Sequence, residues 1–156
     1  LVCVCRYDPV NKLDTDGLEV QYNDNVIHNP EVRQTLENLD FDLPGFDIIV
    51  TGGDRYYDND GKIRSTSNDS WIKNSATYST HLQGTGVDFK VDGMSLSPEY
   101  LSEFFTWTKQ DYEDGHYHGD IREINNISEG RTCSEGTPYD KNTVDNFDPN
   151  NGVLRF

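Results

Sequence analysis

The chain has 156 residues and carries 13 Lys and Arg against 28 Asp and Glu, a formal net charge of −15. No run approaches the roughly 18 consecutive apolar residues that a membrane-spanning helix needs, and no basic cluster offers the footprint that phosphate recognition needs, which speaks against a membrane span, nucleic acid and polyanionic partners. High charge would suit disorder, but nine Tyr, seven Phe and two Trp can supply a modest core, and the length fits one domain over 1–156.

Leu1 in place of an initiator Met fits either a processed chain, with room for an export signal removed earlier, or a segment cut from a longer one. Cys3 and Cys5 fall on one side of an extended segment, so either can reach Cys133. One such disulfide with a thiol left over is the expectation, set against three reduced thiols; no CxxC spacing suggests a structural metal. Leu18 to Tyr22 alternates as a strand does. Asn29-Pro30-Glu31 supplies a cap, a Pro in the first turn and an acid, and Val32, Leu36 and Leu39 follow at helical spacing, predicting a helix over about 30–39. Phe46 to Thr51, entered through Pro44-Gly45 and left through Gly52-Gly53, reads as a buried strand.

From Asp54 to Tyr78 the composition turns polar and predicts a long surface excursion. Val87 to Val91 alternates as a strand. Ser97-Pro98-Glu99 opens a second helix, whose stripe of Tyr100, Leu101, Phe104, Phe105 and Thr108 ends near Gln110, with Trp107 read as core. A last strand is expected around Tyr117 to Ile124, and residues 125–156 read as an irregular wrap. The fold class expected is α+β, a small, mainly antiparallel sheet with helices on one face.

Three of the four His fall in two tight clusters, Ser79-Thr80-His81-Leu82-Gln83-Gly84-Thr85-Gly86-Val87-Asp88 and His116-Tyr117-His118-Gly119-Asp120. Gly84 and Gly86 let the chain turn tightly into a strand, so Asp88 can come back toward His81. On a strand, His116, His118 and Asp120 share a face. Two imidazoles and a carboxylate form a three-ligand set suited to Zn²⁺ with the fourth position left open, the arrangement of catalytic rather than structural sites. Zinc lowers the pKa of bound water from about 15.7 toward roughly 7 and polarises carbonyls. Glu113 is the first candidate for general base, with His116 as competitor. Asp14-Thr15-Asp16-Gly17 and Asp58-Asn59-Asp60-Gly61 bring carboxylates around Gly turns, as Ca²⁺ sites do, without completing an EF-hand loop; Ca²⁺ binding at Asp14, Asp16, Asp58 and Asp60 stands against plain solvated turns.

Those clusters resemble the signature of the zinc D-alanyl-D-alanine peptidases and related peptidoglycan endopeptidases, whose fold is shared by the hedgehog signalling domain. Ser79, His81, Gly84 and Asp88 match its Ser-x-His-x-x-Gly-x-Ala-x-Asp pattern, with Gly86 where Ala is usual, and His116 and His118 match a later His-x-His. Val50-Thr51-Gly52-Gly53-Asp54-Arg55 looks like the strand end that precedes the signature in this family. The resemblance covers about residues 30–124. It implies zinc held by His81, Asp88 and His118, substrate contacts from Arg55 and Ser79, and Arg55 meeting a substrate carboxylate or developing oxyanion. Many family peptidases place a Glu three residues before the last His, where this chain has Gly115; Glu113 lies five before, closer to the hedgehog spacing.

The function this implies is a zinc metallopeptidase, extracellular or in the cell envelope, acting on peptidoglycan stem or cross-link peptides. The alternative is a non-catalytic extracellular module of hedgehog-like fold that binds zinc, with or without calcium, and a protein partner.

Overall fold

The computed structural model describes residues 20–76, 79–110 and 112–122. Cys3, Cys5, Cys133, Asp14, Asp16, the strand expected from Leu18 and the irregular C-terminal wrap all lie wholly or partly outside these residues. Helix α1 spans Pro30–Asp42, strand β1 Ile48–Gly52, β2 Arg55–Tyr57, β3 Ile63–Ser65, β4 Gly86–Val91, α2 Pro98–Leu101, β5 Trp107–Lys109 and β6 Tyr117–Asp120; a single 3₁₀ turn, Thr80–Leu82, precedes β4. Four strands form one antiparallel sheet in the order β1-β4-β6-β5, and β2 and β3 form a separate hairpin. A small antiparallel sheet with few helices is an α+β arrangement. No helix among the described residues is long and apolar enough to cross a membrane.

Helix α1 begins where the sequence places a cap. The Asn29 side chain accepts from the Glu31 N–H at 2.9 Å, and Pro30 takes the position whose missing N–H costs nothing. Val32, Leu36 and Leu39 are fully buried in one cluster with Ile48, Val50, Val87 and Phe89. Asn29→Ala is expected to lower unfolding free energy by about 1 kcal/mol, measured by urea denaturation; an unchanged midpoint would mean that the cap contributes nothing.

The two-residue side-chain period divides the sheet. On β4, Val87, Phe89 and Val91 enter the core while Asp88 and Lys90 point to the other face. On β6, Tyr117 joins the core and His118 and Asp120 take the opposite face. Gly119 permits a close approach, because a Cβ there would lie 2.7 Å from the Phe105 ring. The cleft described below opens on the face away from the core.

Three expectations need correction. The polar stretch after Asp54 contains the β2–β3 hairpin, with Tyr56 and Ile63 buried, because alternation with half-buried Arg and Tyr carries little apolar signal. The second helix ends at Leu101 instead of near Gln110: the Leu101 carbonyl takes the Phe104 and Phe105 amides, and Trp107 to Lys109 pairs with β6, as suits its aromatic and β-branched residues. Trp107 is accordingly half-buried beside a cleft, with its ring 5.6 Å from the His118 ring.

Candidate metal centre

Register assembles the site. Asp88 on β4 stands directly opposite His118 on β6, so one antiparallel pairing brings a carboxylate and an imidazole together across 30 residues of chain. His81 arrives from the 3₁₀ turn just before β4. The Ser79 hydroxyl caps this turn by accepting from the His81 N–H at 3.3 Å, and Gly84, at φ +71°, makes the left-handed turn that returns the chain to the strand. Asp88 thereby lies between two rings: its Oδ2 is 3.3 Å from His81 Nε2 and its Oδ1 is 2.7 Å from His118 Nδ1. One ligand atom from each of these residues lies within 4.8 Å of the other two, and among the described residues this is the group that could hold a metal ion.

The outer nitrogens decide which inner nitrogens are offered. His81 Nδ1 donates to the Gly53 carbonyl at 2.8 Å, an acceptor that fixes the proton there and leaves Nε2 directed at Asp88. That carbonyl is itself anchored: the Gly53 N–H donates to Asn25 Oδ1 at 3.1 Å, the Asp54 N–H to the Val26 carbonyl at 2.8 Å, and fully buried Asp54 accepts from both the backbone N–H and Nδ1 of His28 at 2.6 Å. On the other ring, His118 Nε2 lies 3.2 Å from Thr80 Oγ1 and 3.5 Å from Asp120 Oδ2. Each imidazole is held through one nitrogen and presents the other, the arrangement seen around metal-binding histidines. The donor set therefore fits a divalent ion that accepts nitrogen and oxygen ligands.

Electrostatics agree with the geometry. Burial pushes the Asp88 carboxyl up, but the adjacent His81 and His118 outweigh it and hold the group well below the usual carboxylate range. Burial lowers His118, yet its contacts with Asp120 and Asp88 leave its pKa raised overall. Burial lowers the Arg55 pKa, opposed by Asp88.

The site opens into a cleft of about 520 Å³ whose lining includes Arg55, Ser79, Thr80, His81, Asp88, Trp107, Lys109, Tyr112, His116, His118 and Arg122. Comparison with protein-family models, curated proteins and solved structures finds no match.

Arg55 stands at the start of β2, with Nη1 donating to Ser75 Oγ at 3.0 Å and Nη2 3.9 Å from Asp88 Oδ2. His116 is also on the cleft: Asp114 Oδ1 holds its Nδ1 at 2.5 Å, and Tyr112 stacks on the ring with centroids 3.8 Å apart. Glu113 does not join them. It is exposed in the turn closed by the Gly115 N–H and the Tyr112 carbonyl, and it is not among the cleft residues.

Asp58 and Asp60 lie in the turn of the β2–β3 hairpin. Asp58 Oδ1 accepts from the Asp60 and Lys62 amides at 2.9 and 2.8 Å, and Oδ2 pairs with Arg64 Nε at 2.5 Å. Both oxygens thus serve to shape a turn. Two site features escape the sequence pattern. Thr80 gains its role from contact with His118, and Arg122 from its pairing with Asp120, whose place on the face of His118 the strand period does predict.

Proposed function

We propose that the chain is a zinc peptidase acting on peptidoglycan stem or cross-link peptides outside the cell or in its envelope. The observation that carries this reading is the convergence of His81, Asp88 and His118 beside an open cleft, with Arg55 at the same carboxylate. The substrate class rests on the resemblance of the two His clusters and the Val50–Arg55 segment to the D-alanyl-D-alanine peptidases. Zinc, when held by these three residues, would supply Lewis acidity and activate water.

The remaining work falls to the protein. Arg55 would meet a substrate carboxylate or steady a developing oxyanion; the contacts of its guanidinium with Ser75 and Asp88 support this reading. His116 is the better-placed proton acceptor of the two candidates. Asp114 and Tyr112 orient its ring at the cleft, whereas Glu113 is exposed and does not line it. Ser79 contributes by capping the turn that carries His81 and also lines the cleft.

The test is cleavage of soluble muropeptides by zinc-loaded protein, followed by chromatography. His116→Gln is expected to lower kcat by about 100-fold or more, while Glu113→Gln leaves it unchanged. The opposite pattern would return the proton to Glu113. Saturable zinc and muropeptide binding with no turnover would favour the non-catalytic binding module instead.

A further inference from the structure

Asp120 is fully buried at the end of β6 and Arg122 is 4% exposed two residues later. Removing two charges from water is costly unless they are paired and aligned. Here Arg122 grips Asp120 with Nε at 2.7 Å and with Nη2, its backbone N–H adds a bond to Asp120 Oδ1 at 3.2 Å, and its guanidinium lies 4.8 Å over the Trp107 ring. The segment is tied down from both sides: Thr106 Oγ1 donates to the Asp120 and Arg122 carbonyls, and the Ile121 N–H donates to the Thr85 carbonyl at 3.0 Å. The carboxylate so fixed has His118 as its other neighbour, with Oδ2 3.5 Å from Nε2.

We propose that Asp120 and Arg122 are positioning residues for the metal centre: Asp120 accepts from His118 Nε2 and so keeps Nδ1 toward Asp88, and Arg122 aims Asp120. The inference rests on the metal reading of His81, Asp88 and His118. It goes beyond that reading by assigning the ring orientation to a buried ion pair outside the ligand set. Outer carboxylates of this kind typically contribute 10- to 100-fold in metal affinity. Thr80 Oγ1, 3.2 Å from the same nitrogen, is a neutral acceptor and a weaker anchor.

The experiment titrates Co²⁺ and Zn²⁺ into the metal-free full chain, with a competing chelator and the visible Co²⁺ spectrum as readouts and circular dichroism as a check on folding. Asp120→Asn is expected to weaken both metals by about 10- to 100-fold and to alter the Co²⁺ spectrum with the fold retained. Arg122→Lys, which keeps a cation beside Asp120 but loses the two-pronged grip, should lose part of the affinity, less than Asp120→Asn does, and Thr80→Ala should likewise change it less than Asp120→Asn; full affinity in Arg122→Lys would show that Arg122 does not aim the carboxylate. Unchanged affinity and spectrum in Asp120→Asn would overturn the proposal while leaving the metal site intact; a wild-type chain that takes up neither ion would remove both. Should Asp120→Asn not fold, long-range proton–nitrogen NMR of the zinc-loaded wild type decides the matter. A proton on His118 Nε2 supports the assignment, and a proton on Nδ1 refutes it.

Discussion

Asp88→Asn is expected to weaken zinc binding by more than about 100-fold, because a direct ligand contributes more than the outer groups that orient it. The substitution keeps the shape of the side chain but removes the negative charge between His81 and His118, and with it the oxygen pair that both rings face. Competition with a chromophoric chelator gives the constant directly. Thermal unfolding gives a second view. At free zinc about 100 times the dissociation constant, a single site adds about 2.7 kcal/mol to the wild-type stability, and the variant should lose that increment at the same zinc concentration. Equal zinc-dependent stabilisation of the two proteins would show that the ion binds elsewhere.

Gly86→Ala is the second large effect. A Cβ at Gly86 would sit 2.1 Å from Thr80 Oγ1, 2.9 Å from Thr80 Cβ and 3.1 Å from His118 Cε1. The Thr80 side chain therefore fills the space that a Cβ at this position would need. Overpacking of this kind costs about 1–3 kcal/mol, and relief by moving His118 would also disturb the ligand set. Loss of both unfolding free energy and zinc affinity is expected. Thr80→Gly removes the two closest atoms, so the double variant should recover part of the stability lost by Gly86→Ala alone; purely additive losses would mean that the two positions do not compete for the same space.

The legible parts of this protein were those written in short-range chemistry. Asn29-Pro30 marks the start of α1, and the alternation of Val87, Phe89 and Val91 marks β4 with its core face. The convergence of His81, Asp88 and His118, a group that could hold a metal ion, was legible because two clusters of distinctive residue types meet through one strand pairing and one capped turn. What stayed hidden depends on partners far away in sequence or on competition between elements. The stripe of Tyr100, Leu101, Phe104 and Phe105 has helical spacing, yet the pairing of Trp107 with Asp120 draws the chain into a strand. Glu113 has the residue type of a general base, but the turn around Gly115, at φ +77°, leaves it exposed and sets His116 on the cleft. The anchoring of Gly53 by Asn25 and of Asp54 by His28 spans more than 20 residues and has no local signature.

The most direct measurement is X-ray absorption at the zinc edge on the purified protein, combined with elemental analysis. One zinc per chain, bound by two imidazoles with oxygen in the remaining positions, and lost in both His81→Ala and His118→Ala, is the predicted result. A chain that holds no zinc after equilibration with the ion, or zinc that persists unchanged in both variants, would contradict it.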